Sequence, residues 1–101
     1  MIVRMWEARL VPGTTGAFVA FWTERVRPRL TATDGCLDAE LVVSYGVEPG
    51  ADERAVVTTR WRDEAALAAA AGPDWRVAPV VEPGEAAFLA RPAYVWHFRP
   101  A

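Results

Sequence analysis

The sequence predicts an α+β domain in the ferredoxin-like order β-α-β-β-α-β, a four-stranded antiparallel sheet with both helices on one face. Three observations predict it. Four stretches alternate apolar and polar residues with period two, and two others carry apolar residues at helical spacing. Between Arg54 and Ala71 the chain, RAVVTTRWRDEAALAAAA, passes from a Val/Thr strand straight into an Ala/Leu helix, with Trp61 at the junction. The length, 101 residues, suits one compact unit, so residues 1–101 read as a single domain.

Ile2 to Leu10 is the first strand. Ile2, Arg4, Trp6, Ala8 and Leu10 share one face, and Val3, Met5, Glu7 and Arg9 the other. Pro12-Gly13 stops it, and Thr14 or Thr15 can cap the helix that follows. Phe18, Phe21, Trp22 and Val26 fall on one side of that helix, and Pro28 is expected to kink or end it. Thr33-Asp34-Gly35 is a turn. The second strand runs from Cys36 to Ser44, with Leu37, Ala39, Leu41 and Val43 alternating against Asp38, Glu40 and Val42. A hairpin loop from Gly46 to Glu53, containing Pro49-Gly50, leads to the third strand, Arg54 to Trp61. Asp63 to Ala71 is the second helix, with acids in its first turn, where they suit the helix dipole, and Gly72-Pro73 after it. Trp75 to Pro92 is irregular and proline-rich, with room for a short helix at residues 84–89. The last strand, Ala93 to Arg99, sets Tyr94, Trp96 and Phe98 against Val95, His97 and Arg99.

With both helices on one face, the other face of the sheet has to be hidden. It carries Met5, Val42 and aromatics of the last strand, and a second copy of the chain is the simplest cover, giving a homodimer through the open sheet face.

Composition narrows the partners. The chain is 52% hydrophobic, with a net charge of −2 and a pI near 5.3, which does not suit nucleic acid or an anionic membrane surface. No apolar run is long enough to span a bilayer, and the start lacks a signal-peptide pattern, so a cytoplasmic protein is expected. All eleven basic residues are Arg, and there is no Lys, Asn or Gln. The single cysteine, Cys36, rules out an intrachain disulfide and reads as a small residue opening a strand. No zinc-type, phosphate-loop or dinucleotide motif is present, and the lone His97 has no neighbouring Cys or carboxylate motif, so neither a metal nor a cofactor is expected.

Pro12-Gly13-Thr14 before the first helix, Asp34-Gly35-Cys36-Leu37 before the second strand, and the run from Val57 to Leu67 resemble the antibiotic biosynthesis monooxygenase family. The resemblance covers roughly residues 1–75 and implies a dimeric α+β barrel. That family includes cofactor-independent quinone-forming monooxygenases and haem-degrading enzymes. It implies that Trp61 lines a pocket between helices and sheet, where a flat, rigid indole makes a wall for an aromatic substrate. The chain departs from the family pattern in three places. Val57 stands where the monooxygenases carry an Asn four residues before the Trp. Trp6 and Ala71 stand where the haem-degrading branch carries its Asn and His, so haem ligation in that manner is not supported.

The candidate site therefore rests on aromatics. Trp6, Trp22, Trp61 and Trp75, with Phe18, are expected to converge on a pocket for a small, planar, hydrophobic aromatic molecule. Arg4 shares the face of Trp6 and could hold a phenolate or carboxylate at the mouth. His97, the one side chain expected to titrate near neutrality, and Thr59, on the face of Trp61, are the candidates for handling a proton. The expected function is a cofactor-independent monooxygenase acting on an aromatic polyketide-like or quinol substrate. The alternatives are a non-catalytic binder of a hydrophobic metabolite, or a cyclase or isomerase on the same fold.

Overall fold

The computed structural model describes all residues, Met1–Ala101. The elements are β1 (Ile2–Leu10), α1 (Thr15–Phe21), a π-helical turn (Trp22–Val26), α2 (Arg27–Thr31), β2 (Cys36–Val43), β3 (Glu53–Trp61), α3 (Glu64–Ala71), a 3₁₀ turn (Glu85–Phe88) and β4 (Tyr94–Phe98). The sheet order is β2-β3-β1-β4, antiparallel throughout. This is the expected ferredoxin-like α+β arrangement, with β1 and β3 as the central pair. The sheet does not close on itself within the chain.

Alternation set the faces of β1 and β3. Arg4, Trp6, Ala8 and Leu10 are buried on β1, and Ala55, Val57, Thr59 and Trp61 on β3. These side chains pack against Phe18, Trp22 and Val26 of the first helical body and against Leu67 of α3, in two apolar clusters. One is built around Phe18, Trp6 and Trp22, the other around Trp61, Leu67 and Trp75. The opposite face is open: Tyr94, Trp96, Phe98 and Val42 are each about half exposed or more.

Two local expectations are corrected. Of the two outcomes expected at Pro28, a kink or an end, the end does not occur: the first helical body continues to Thr31. Proline has no N–H for the interior ladder. The distortion is taken up one turn earlier, where the Arg27 N–H donates to the Trp22 carbonyl in a widened turn, leaving Pro28 in the first turn of α2. On β2, a bulge interrupts the alternation. Cys36 is opposite Trp61 and Asp38 opposite Arg60, so Leu37 is the extra residue and is 59% exposed rather than sharing the inner face of Ala39.

The strand-to-helix junction is capped locally. Asp63, in extended conformation, accepts from the Ala66 N–H at 2.8 Å, and this bond holds its carboxyl below the usual carboxylate range. Asp63→Ala is expected to lower Tm by a few degrees, and Asp63→Asn, which keeps the acceptor, to leave it nearly unchanged. Thermal denaturation followed by circular dichroism checks this.

Candidate functional site

A cavity lies between the sheet and the helical layer; its empty space, open solvent at the mouth included, is about 590 Å³. Its apolar walls include Trp6 from β1, Trp22 from the π-turn, and Val57 and Trp61 from β3. The widened turn matters here, because Trp22 and Val26, its two buried residues, both reach this cavity. Trp6 and Trp61 lie four rungs apart on neighbouring strands, since Trp6 is opposite Val57 and Trp61 opposite Ile2. Both face the same space.

The polar groups are few. Arg4 is only 6% exposed and pairs with no carboxylate. Its Nη1 donates to the Trp75 carbonyl at 2.7 Å and its Nη2 to the Ala78 carbonyl at 3.0 Å, so β1 ties down the irregular segment that follows α3. Burial alone pushes its pKa down, and a guanidinium stays charged nonetheless. Thr59 accepts from the Trp61 indole N–H at 2.8 Å, which fixes that ring and leaves the hydroxyl proton free. Glu85, from the 3₁₀ turn, is the third buried polar wall residue, 3% exposed, and burial raises its pKa above the ordinary carboxylate value. The indole nitrogens of Trp6 and Trp22 are sealed without a hydrogen-bond partner.

The expected site residues separate into two groups. Arg4, Trp6, Trp22, Thr59 and Trp61 line the cavity together. Phe18, Trp75 and His97 stand behind it. Phe18 is fully buried, its ring 6.2 Å from that of Trp6 and 5.8 Å from that of Phe88. Trp75 packs in the cluster of Trp61 and Leu67, under the Arg76 guanidinium at 4.3 Å. His97 meets Trp75 edge-on at 4.8 Å, and its Nε2 lies 2.9 Å from Arg4 Nη1. A guanidinium can only donate, so Nε2 is the acceptor and the ring proton belongs on Nδ1.

Burial, then the charges of Arg4 and Arg76, hold the His97 pKa below its ordinary 6.5. Its neutral form is the one the fold favours. The stability linked to it is therefore present above pH 6.5 and lost as pH falls through the lowered native value. His97→Gln, which keeps an acceptor for Arg4, is expected to lose less stability than the native chain between about pH 6.5 and pH 5. Urea unfolding at a series of pH values measures the difference.

Glu85 was not legible as a site residue. A glutamate in a proline-rich stretch carries no periodic signal, and only the path of residues 75–92 over the cavity brings it in. Cys36 is half-buried with its thiol pKa raised chiefly by burial, consistent with a packing role. No group of three or more His, Cys, Asp or Glu side chains gathers to hold a metal ion, and no helix is long and apolar enough to cross a membrane.

The three positions at which the chain departs from the family pattern, Trp6, Val57 and Ala71, all line this one cavity. A family model described as antibiotic biosynthesis monooxygenase matches residues 1–78. No curated protein matches the chain. Among solved structures, an antibiotic biosynthesis monooxygenase is 19% identical, with 100% of this chain and 99% of that one covered and a TM-score of 0.72. A monooxygenase from the gene ActVA-Orf6 of Streptomyces coelicolor, in complex with nanaomycin D, is 20% identical over 99% of this chain and 87% of that one, with a TM-score of 0.69. PA3566 from Pseudomonas aeruginosa is 21% identical over 99% and 94%, with a TM-score of 0.67. At these identities the likeness is one of fold.

Proposed function

The chain belongs to the antibiotic biosynthesis monooxygenase family, and from that premise we propose that it is a cofactor-independent monooxygenase oxidising an aromatic polyketide-like or quinol substrate. The observation that carries this reading is the cavity with three tryptophan walls and one buried cation that has no carboxylate partner. A planar aromatic would lie between Trp6, Trp22 and Trp61, with an anionic oxygen on it toward Arg4. The structural likeness to a protein that holds nanaomycin D supports a small-molecule ligand.

In this mechanism the substrate first loses a proton. Arg4 lowers the cost of the resulting anion. The anion reduces dioxygen, a CH₂ carbon becomes a carbonyl, and the second oxygen atom leaves as water. Thr59 can donate its free hydroxyl proton to a substrate oxygen while holding Trp61. His97, expected from sequence to be the base, is assigned instead to positioning Arg4, because its basic nitrogen faces that guanidinium. A second copy of the chain over Tyr94, Trp96, Phe98 and Val42 belongs to the same proposal, and sedimentation equilibrium tests it.

Val57 favours a second reading. With an aliphatic where the related monooxygenases carry an Asn, the cavity loses a donor that would hold a substrate oxygen, which suits a binder or a cyclase. Tryptophan fluorescence against a panel of anthrone-like quinols, with oxygen uptake recorded in parallel, separates the readings. Quenching with oxygen uptake, both lost in Trp61→Ala and largely kept in Trp61→Phe, supports the monooxygenase. Quenching without uptake sinks it in favour of a binder or cyclase.

A further inference from the structure

Glu85 occupies an unusual place for a carboxyl group. It is the only buried acidic side chain, and it lines the cavity. Its Oε1 accepts from the Glu82 N–H at 3.0 Å, which closes the turn around Gly84. Its Oε2 makes no hydrogen bond within the chain. That oxygen is not sealed either, because the sealed and unpartnered side-chain atoms are the indole nitrogens of Trp6 and Trp22.

The charges around it leave it unpaired. Glu82 is held by Arg29 in an ion pair, and both line the cavity rim. Arg4, which lines the same cavity from β1, is committed to the Trp75 and Ala78 carbonyls and to His97. Neither arginine forms an ion pair with Glu85. One cavity thus holds a buried cation and a buried carboxyl that do not neutralise each other. The turn itself asks only for a carbonyl oxygen, which a glutamine would supply without the cost of burying an ionisable group. The second carboxyl oxygen is surplus to the fold.

We propose that Glu85 is the proton acceptor of this site, and that its ligand is an aromatic whose hydroxyl is conjugated to a second oxygen. The proposal rests on the cavity being an aromatic-ligand site. In the step, the ligand O–H bond breaks and an O–H bond forms on Glu85 Oε2. The electron pair stays on the ligand, and the charge spreads through the ring to the second oxygen, for which Arg4 is the cation in the cavity. Nothing is oxidised or reduced in this step. Burial raises the affinity of the carboxyl for a proton, and Arg4 stabilises the anion, so both act in the direction of transfer.

Alizarin, a hydroxyanthraquinone whose phenol and phenolate forms differ in colour, tests this without turnover. It is titrated about one pH unit below its own ionisation into the native chain, Glu85→Gln and Glu85→Asp, with tryptophan quenching reporting binding and the visible band reporting ionisation. In the native chain the bound dye is expected as phenolate. Glu85→Gln, which preserves the acceptor for the Glu82 N–H, is expected to bind within about threefold but to leave the dye neutral. Its oxygen uptake with quinols should fall about 10²- to 10⁴-fold. Glu85→Asp retains a retracted carboxyl and should ionise the dye partially, which keeps the test informative if the glutamine variant folds poorly. Dye that quenches the native chain but stays neutral, or that ionises equally in Glu85→Gln, overturns the role of Glu85 and leaves the cavity reading standing. Dye that does not quench at all overturns both.

Discussion

Phe18→Ala is expected to cost about 3–5 kcal/mol of stability, the range for removing a fully buried aromatic ring. Phe18 is the largest side chain in the molecule with no exposure, and it joins three layers. It lies on α1, its ring faces Trp6 on the sheet at 6.2 Å, and it meets Phe88 of the 3₁₀ turn at 5.8 Å. For a domain of this size each kcal/mol shifts Tm by roughly 4–8 °C, so a fall of more than about 12 °C is expected. Phe18→Leu should lose less than half as much, because most of the volume is kept. Urea and thermal unfolding measure both. A loss below about 1 kcal/mol for the alanine variant would show that the helix packs differently from this arrangement. The same variant removes the support behind Trp6, so ligand quenching should weaken even where the chain remains folded.

The second large effect is at Gly35. Its φ is +83°, and a Cβ placed there would lie 2.3 Å from the Cβ of Ala66 in the first turn of α3. Gly35→Ala therefore faces a left-handed backbone, worth about 1–2 kcal/mol, and an overlap worth about 1–3 kcal/mol more. The contact is functional in its position. The Arg62 N–H donates to the Gly35 carbonyl at 2.8 Å, one residue past Trp61, so a displaced turn disturbs the junction that aims the indole. Two variants separate the contributions. Gly50 has φ +84° with nothing within 4 Å of an added Cβ, so Gly50→Ala should show the backbone cost alone. Ala66→Gly in the Gly35→Ala background removes the overlap and keeps the strain, so it should recover part of the loss. Denaturation of the double-mutant cycle yields the coupling, which additivity would reduce to zero.

The cavity places Trp6, Trp22 and Trp61 together as their sequence positions suggest, because each lies on the buried side of a strongly periodic element. Arg4 and Thr59 follow for the same reason, being two residues from Trp6 and Trp61 on the same strand faces. The pattern is silent where no period exists. Glu85 lies in a stretch of prolines and alanines, and its burial comes from a chain path held by Arg4 and by backbone bonds such as that from the Val11 N–H to the Phe88 carbonyl. The alternation grouped His97 with Val95 and Arg99 on one side of β4, but its partner was hidden. The register of β4 on β1 sets it opposite Arg4, a residue 93 positions away, and this converts a free imidazole into an acceptor for a guanidinium. Leu37 and Pro28 show the other limit. A bulge and a π-turn each insert one residue's worth of slip, which strict periods of 2 and 3.6 cannot register.

The sequence by itself determined the order of elements, the buried faces of β1 and β3 and the Trp61 junction. Side-chain alternation and helical spacing are properties of consecutive residues, so these features are local. Only the tertiary structure decided that Phe18, Trp75 and His97 stand behind the cavity while Glu85 enters it. It also decided that Arg4 is a buried cation without a carboxylate. Those outcomes depend on strand register and on where an irregular segment crosses the sheet. Both are set by contacts between residues far apart in the chain, and no local spacing encodes which of them meet.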